Sequence, residues 1–293
     1  MLAFKLAYRN LIGAGFRTWL NVFILSISFV AIIFHKGMLD GWDRQARRDM
    51  INWEYGGGQY WHENYDPYDP FTLSESHGKI PAQMQSLVDN DELLPVLISQ
   101  GTIYPEGRVR TILIKGIKAN QNTLELPTKI LKAKNDEILA IIGSNMAKSN
   151  RLDTGDYVTM RWRDINGTFD ATDIKIAGIF KTNAPSVDNG QVWISLENLQ
   201  KLLKMPGEST ILIKKDKNTK TLQTEGWIFK TTDFLLSDID EIIKSKSVGG
   251  AIFWFILLLL AMLAIFDTQV LSIFRRQKEI GTYIALGMTK RQV

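Results

Sequence analysis

Two stretches of the chain carry long runs of apolar side chains without a single charge. Thr18–Phe34 covers 17 residues and Val248–Phe266 covers 19. A helix rises about 1.5 Å per residue, so the second run is roughly 28 Å long, close to the ~30 Å hydrocarbon core of a bilayer. The pattern predicts two transmembrane helices, over residues 18–37 and 248–274, on either side of a polar region of about 210 residues.

In the polar region, runs of β-favouring residues alternate with turn residues, which is typical of strands joined by turns. Apolar runs at Leu94–Ile103 and Val109–Ile117 surround Pro105-Glu-Gly107 and predict a hairpin, as do Tyr157–Arg163 and Thr172–Phe180 around Asn166-Gly167. Ile138–Ile142 and Gln191–Ile194 are predicted as strands that run into helices, with Ser195 as an N-cap. Because strands and helices do not alternate regularly, the fold class predicted for residues 38–247 is α+β.

Charge gives the predicted orientation. Residues 1–39 hold four Lys/Arg and no Asp/Glu, residues 248–293 hold five against two, and residues 40–247 hold 26 against 29. Basic flanks on the outer sides of both spans place both ends in the cytoplasm, so the middle domain is exported. The apolar and basic side chains of residues 1–17 predict an interfacial helix. The exit from the first span lacks a small-residue cleavage site, which favours an uncleaved anchor over a signal peptide.

The amino-acid composition argues against several functional classes. The chain has no cysteine, and its three histidines, His35, His62 and His77, have no metal-ligand spacing, so neither a metal site nor a thiol chemistry is expected. Gly143-Ser-Asn-Met-Ala-Lys148-Ser149 lacks the spacing of a phosphate loop and is interpreted as a strand-to-helix turn. We therefore expect no enzyme activity in this chain. The net charge of +4 resides beside the apolar spans, which argues against nucleic-acid binding.

Two features leave alternatives open. An aromatic-rich stretch runs from Trp53 to Phe71; its rings either pack a core strand or form a binding surface. Asp267 lies inside the second predicted helix, where an ionisable side chain either reaches the interface beside Arg275 and Arg276 or lies at a helix–helix contact.

The end of the chain carries a recognisable motif. Arg275-Arg-Gln-Lys-Glu-Ile-Gly-Thr-Tyr-Ile-Ala-Leu-Gly-Met-Thr-Lys-Arg-Gln-Val293 closely resembles the R-x-x-E-I-G-x-x-x-A-x-G signature of MacB/FtsX-type ABC permeases. Ala7-Tyr-Arg-Asn-Leu11 and Ile142–Asp156 also resemble family segments, with Met146 in place of a leucine. The stretches Gln59–His62 and Gly178–Thr182 resemble the lipoprotein-releasing, LolC/LolE-like branch.

The resemblance implies a fold and a mechanism. It implies a large exported MacB periplasmic-core-like domain between the two spans, in the bacterial inner membrane. Residues 275–293 would be the cytoplasmic coupling segment that docks on a separate ABC ATPase, which binds the ATP, so no cofactor is expected in this chain. The residues carried over to this coupling role are Glu279, Ile280, Gly281, Ala285, Leu286 and Gly287.

The resemblance also implies partners. A second permease subunit, identical or paralogous, is expected together with the ATPase, and lipoproteins are the expected cargo. The alternatives are an FtsX-like regulator of an envelope hydrolase and a membrane-anchored sensor without an ATPase. Family members continue through two further transmembrane helices, so we expect this sequence to be the N-terminal half of a permease, truncated within the coupling segment.

Overall fold

A computed structural model describes residues 4–5, 8–9, 15–132, 137–218 and 220–289. These residues form two compact units, which are described separately. One unit holds the described residues up to Asp43 together with those from Glu241 onward, and the other is Arg44–Asp240. Most of the predicted interfacial helix, residues 1–17, and the last four residues of the chain lie outside the described residues.

The helices and strands have the following bounds. The helices are α1 (Phe16–Met50), α2 (Ala82–Asp89), α3 (Ser144–Asn150), α4 (Pro185–Asp188), α5 (Leu196–Leu203), α6 (Thr232–Leu235), α7 (Ser237–Arg275) and α8 (Gln277–Ala285). The strands are β1 (Gln59–His62), β2 (Gly78–Lys79), β3 (Leu93–Ile103), β4 (Arg110–Ile117), β5 (Ile138–Gly143), β6 (Tyr157–Arg163), β7 (Phe169–Phe180), β8 (Gln191–Ser195), β9 (Glu208–Ser209), β10 (Ile211–Lys214) and β11 (Trp227–Lys230).

Helices α1 and α7 are each long and apolar enough to cross a membrane. Their 35 and 39 residues correspond to about 52 and 58 Å, so both extend well beyond a hydrocarbon core of ~30 Å. Most of the apolar side chains that the structure describes along both helices are exposed, as a lipid-facing helix requires, although Ala261 is buried. Two candidate transmembrane helices therefore flank an α+β domain, and the fold class predicted from the sequence is confirmed.

The Arg44–Asp240 domain is built on one mixed sheet. Within the described residues, nine strands follow the order β11-β1-β10-β3-β4-β8-β5-β7-β6, and β3 also pairs with β6. This second pairing closes β3, β4, β8, β5, β7 and β6 into a barrel, and β10, β1 and β11 extend the sheet beyond it. The β4–β8 and β5–β7 pairs are parallel, whereas the other pairs in the sheet are antiparallel.

Both predicted hairpins are confirmed. β3 pairs with β4 from Val96↔Ile117 to Ile103↔Arg110, and β6 pairs with β7 from Tyr157↔Lys175 to Arg163↔Phe169. Gly167 takes a φ of +80° in the second turn, a conformation that favours glycine. The predicted N-cap is also present, because Ser195 Oγ accepts a hydrogen bond from the Asn198 amide at 3.2 Å.

Apolar side chains of the domain form three buried clusters. The first fills the barrel and packs against α3 and α5, with Ile114, Ile142 and Met160 fully buried. The second lies on the outer face of the barrel strands, beneath the residues that follow α1. The third joins the sheet extension to α2 around Tyr60 and Met84. The strands β3, β4 and β8 thus have buried residues on both faces.

Candidate functional site

A buried pair of opposite charges lies on the outer face of the barrel. The Lys115 Nζ donates to Glu54 Oε1 at 2.9 Å, and both side chains are almost completely removed from solvent. Ser186 Oγ donates to the other Glu54 oxygen at 2.7 Å, and Gln191 Nε2 donates to Oε1 at 3.3 Å. Because a buried charge is costly unless it is paired and hydrogen-bonded, this network holds Glu54 in one position.

An unusual helical turn places Glu54. The α-helix α1 ends at Met50, and Ile51–Tyr55 continue as a turn of π-helix that Gly56 ends, with its amide donating to the Ile51 carbonyl. π-helical turns are rare and occur frequently at functional sites. A side chain at Gly56 would meet the Lys214 carbonyl oxygen at 2.5 Å, so only glycine lets the chain pass the sheet at this point.

Aromatic side chains surround this pair. Trp193 lies 5.0 Å from Lys115 Nζ, and Trp61 packs edge-on against both Tyr65 and Phe234. Burial raises the pKa of Tyr65, so its hydroxyl stays protonated at neutral pH. The structure thus divides the aromatic-rich stretch: Tyr60 is fully buried in β1, as the core interpretation requires, whereas Trp61 and Tyr65 line a groove on the outer face of the sheet.

The loop that superficially resembles a phosphate site binds a carboxylate of the same chain. Asp188 is buried, and its Oδ1 accepts from the Asn145 amide at 3.1 Å and from Ser144 Oγ at 3.3 Å. A side chain at Gly143 would lie 2.4 Å from the Asp188 carbonyl oxygen, which explains the glycine. The interpretation as a strand-to-helix turn is confirmed, and Asp188 takes the position of an anion at the start of α3.

The predicted coupling residues lie in and just after α8. Glu279 is in the first turn of this helix and Leu286 is its C-cap. Gly287 has a φ of +98°, and its amide donates to the Ile284 carbonyl at 3.0 Å. The remaining predicted members, Ile280, Gly281 and Ala285, are not buried, and a side chain at Gly281 would enter open space.

The short helix α8 has an exposed apolar face. Ile280 and Ile284 are one helical turn apart, and Tyr283 lies beside them. Tyr283 is 49% exposed and Ile284 is 42% exposed. An amphipathic helix of this kind can dock in a groove on a partner. Asp267 lies within α7 with its side chain exposed, and its role remains a prediction.

The Glu54–Lys115 network was not predicted from the sequence. One signal was available, because Lys115 interrupts an otherwise apolar strand, Ile112–Ile117, at a position whose neighbours are buried on both sides. A lysine there needs a buried partner. The identity of that partner could not be predicted from the sequence, because Glu54 is 61 residues away from Lys115 and lies outside the sheet.

Comparison with known proteins agrees with parts of this description. Residues 251–293 match the family model described as FtsX-like permease C-terminal. No curated protein matches the chain. Among solved structures, the periplasmic region of MacB from Actinobacillus actinomycetemcomitans is similar at 9% identity and a TM-score of 0.42, covering 64% of this chain and 94% of that one.

A second solved structure is the extracellular domain of the noncanonic ABC-type transporter YknZ from Gram-positive bacteria. Its identity is 11% and its TM-score 0.33, with 53% of this chain and 80% of that chain covered. The class defined by the fold is a membrane protein with two candidate spans and a large α+β domain between them. More particularly, most of its second span and the helix that follows are similar to the C-terminal region of FtsX-like permeases.

Proposed function

We propose that the chain is a permease subunit of an ABC-type transporter. The observation that carries this proposal is the FtsX-like match over residues 251–293, which covers most of the apolar part of α7 and all of α8. In this proposal both ends of the chain are cytoplasmic and the Arg44–Asp240 domain is exported. A partner ATPase binds and hydrolyses the ATP, and a second permease subunit completes the transporter.

The proposed mechanism transmits force through the helices. The ATPase docks on α8 through Glu279 and the apolar face that includes Ile280 and Ile284, and it moves α8 during its cycle. Helix α7 is continuous from Ser237 to Arg275, so it can pass a displacement along its length as a rigid element. The start of α7 and the end of α1 belong to the exported domain, which would change its arrangement in response.

Lipoprotein release from the inner membrane is the proposed role of this movement. It is supported by the resemblance of Gln59–His62 and Gly178–Thr182 to the lipoprotein-releasing branch. The alternative is an FtsX-like regulator that uses the same movement to activate an envelope hydrolase. Purification of the protein from membranes in native complexes distinguishes them: a lipoprotein retained with the complex favours release, and a soluble hydrolase favours regulation.

Substitutions in α8 test the docking role. Glu279→Lys reverses the charge in the first turn, and Gly287→Pro removes an amide that donates a hydrogen bond and forbids the positive φ. We expect each substitution to reduce the ATPase activity of the purified complex roughly ten-fold. This is the effect on binding of losing one hot-spot residue from an interface. Glu225→Lys, the same charge reversal on the surface of the other unit, is the control.

Wild-type coupling in both α8 variants would overturn the docking role. The absence of any ATPase from complexes purified under mild conditions would overturn the permease proposal and favour a membrane-anchored sensor. An ATPase that co-purifies equally well with Glu279→Lys but is no longer stimulated would place Glu279 in coupling rather than in assembly.

A further inference from the structure

The groove on the outer face of the sheet in the Arg44–Asp240 domain has a volume of about 670 Å³. This volume lies within the range of sites that bind small ligands. Strand residues that include Ile211, Ile213 and Ile228 line the groove on one side, and residues of α6 and the start of α7 line it on another. Two features of this lining, its aromatic rings and its charge, favour the same kind of ligand.

The aromatic feature is a corner formed by three rings. The centroid of the Trp61 ring lies 5.2 Å from that of Tyr65 and 6.1 Å from that of Phe234. The ring planes meet at 81° and 75°, so the rings pack edge to face and do not stack. None of the three side chains is buried, and Phe234 is 51% exposed. A ligand in the groove can therefore reach them.

An ammonium group already lies against two of these rings. Lys230 Nζ is 4.4 Å from the centroid of Phe234 and 5.4 Å from that of Trp61. Both distances are within the ~6 Å over which an aromatic face attracts a cation. Among the residues that the structure describes, this ammonium group has neither a carboxylate nor a hydrogen-bond acceptor as a partner. The two rings are thus arranged to hold an ammonium ion, and a lysine of the same chain fills the position.

The charge of the lining is negative. Four acidic and two basic side chains line the groove, and these are Glu54, Glu63, Asp66, Asp238, Lys115 and Lys230. Lys115 is neutralised by Glu54 at 2.9 Å, so the ammonium of Lys230 stands against three further carboxylates. These three carboxylates are exposed, and a ligand in the groove can approach them. The groove therefore attracts cations and repels anions.

Other titratable groups of the lining agree with this sign. Burial raises the pKa of Tyr55, and the nearby carboxylates of Glu54 and Asp238 raise it further. His62 also lines the groove, but burial lowers its pKa, so it adds little positive charge at neutral pH. A negative field that disfavours a phenolate also favours a bound cation.

We propose that this groove binds a small organic ammonium ion. Its ammonium group takes the place of Lys230 Nζ against Trp61 and Phe234, and its carbon substituents contact the aliphatic residues of the sheet. The Lys230 side chain is long and only partly buried, so it can withdraw towards solvent. A neutral molecule of the same shape gains nothing from the carboxylates, and an anion is repelled by them. Such binding does not depend on the proposed permease role.

The test uses the full chain in dodecyl maltoside micelles, because this detergent has neither a charge nor an amine. The ionic strength is about 10 mM, at which charges are little screened. The protein carries 5-fluorotryptophan at every tryptophan, and ¹⁹F NMR is the readout. Trp61→Phe identifies the Trp61 resonance by its loss, and Trp162→Phe does the same for the barrel interior.

The probe is choline, and its neutral isostere is 3,3-dimethyl-1-butanol, in which carbon replaces the ammonium nitrogen. We expect choline to shift the Trp61 resonance saturably and to bind about five-fold more tightly than the isostere, as one cation–π contact provides. The Trp162 resonance should not change, which also verifies that the protein is folded. A titration with sodium chloride corrects for the change in ionic strength.

Substitution of the lysine gives the sharpest result. Lys230→Ala removes the competing ammonium, so choline should bind about five-fold more tightly than to the wild type. Lys201→Ala removes the same charge from an exposed position in α5 that does not line the groove, and it should leave the affinity unchanged.

Substitution of an aromatic ring tests the other half of the site. Phe234→Leu removes one aromatic face at an exposed position and should weaken choline binding about five-fold in the Lys230→Ala background. Phe169→Leu is the matched control. This ring is also exposed and also lies against a cation, 4.3 Å from the Arg161 guanidinium, but it does not line the groove.

Any of three results would overturn the proposal. One is a Trp61 resonance that does not shift in Lys230→Ala at 50 mM choline, and another is equal affinity for choline and its neutral isostere. The third uses 3,3-dimethylbutanoate, an anion of similar shape. If it shifts the Trp61 resonance in the wild type but not in Lys230→Ala, the groove is an anion site at which Lys230 itself is the ligand-binding group.

Discussion

The two faces of strand β4 contrast sharply although their residues are neighbours in the chain. Ile114 faces the barrel interior, where the buried side chains of the cluster are almost all aliphatic. Lys115 faces outward, where it meets Glu54, Trp193 and the groove. Both residues are buried, so the difference is not one of solvent exposure but of chemistry.

This difference separates packing from recognition. The inner face consists of closely packed apolar side chains, with few polar groups that require hydrogen-bond partners, as is typical of a protein core. The outer face holds a buried ion pair, a π-helical turn and two unpartnered polar atoms of Gln191 and Trp193, residues that contact Glu54 and Lys115 respectively. Such features are weak contributors to stability, and their accumulation on one face indicates a site at which something binds or moves.

The largest expected effect comes from breaking the ion pair on the outer face. Lys115→Met keeps the length of the side chain but leaves Glu54 buried without a cation. We expect the free energy of unfolding to fall by about 3–5 kcal/mol, measured by urea titration of the full chain in nanodiscs. Lys175→Met is the matched control, since Lys175 pairs with Glu137 at 3.3 Å on the surface and its loss should matter little.

A double substitution sharpens the result. Glu54→Gln with Lys115→Met removes both charges while an amide remains to interact with Ser186 and Gln191. Most of the lost stability should return, because the cost in the single variant is an uncompensated charge. If the single variant is as stable as the wild type, Glu54 is not held in the buried position described here.

The two tryptophans of the barrel give a smaller and more specific comparison. Trp162 lies on the inner face and donates to the Leu202 carbonyl at 3.0 Å, whereas Nε1 of Trp193 is one of the unpartnered groups. Replacing each by Phe removes the same volume, but only Trp162→Phe loses a hydrogen bond. We expect Trp162→Phe to be about 1 kcal/mol more destabilising in the same urea titration. Equal losses would mean that Trp193 has a partner after all.

The inner face was largely predictable from the sequence and the outer site was not. Local signals defined the hairpins: Pro105-Glu-Gly107 and Asn166-Gly167 mark turns between alternating runs, and β3–β4 and β6–β7 pair as expected. The closure of the barrel by β3 and β6 joins residues about 60 positions apart, for which no local pattern exists. The same distance separates Glu54 from Lys115.

The two apolar spans could also be predicted from the sequence, because composition and length are enough to identify them. The predicted coupling segment was identified by its motif alone, and the structure adds only its helical form and its exposed apolar face to that prediction. Its proposed function depends on a partner, and neither the sequence nor the fold of one chain contains the surface of a partner. The groove on the outer face differs in this respect, since all of its lining residues belong to this domain.

The smallest expected effect concerns the end of β1, where the extension of the sheet meets solvent. His62 packs edge-on against Trp227, and burial lowers its pKa below the usual value, although the neighbouring Glu63 carboxylate acts in the opposite direction. About one pH unit or more above the ordinary histidine pKa of ~6.5, the imidazole is neutral in both the folded and the unfolded chain. As the pH falls, the unfolded chain binds a proton at His62 more readily than the folded domain does. The free energy of unfolding therefore decreases until the pH passes the lowered pKa of His62 in the folded domain.

The variant His62→Gln should therefore show a smaller decrease in urea midpoint than the wild type when midpoints are compared between pH 7.5 and 5. Parallel curves would show that His62 titrates alike in the folded and the unfolded chain, so that its partial burial does not contribute to the pH dependence of stability.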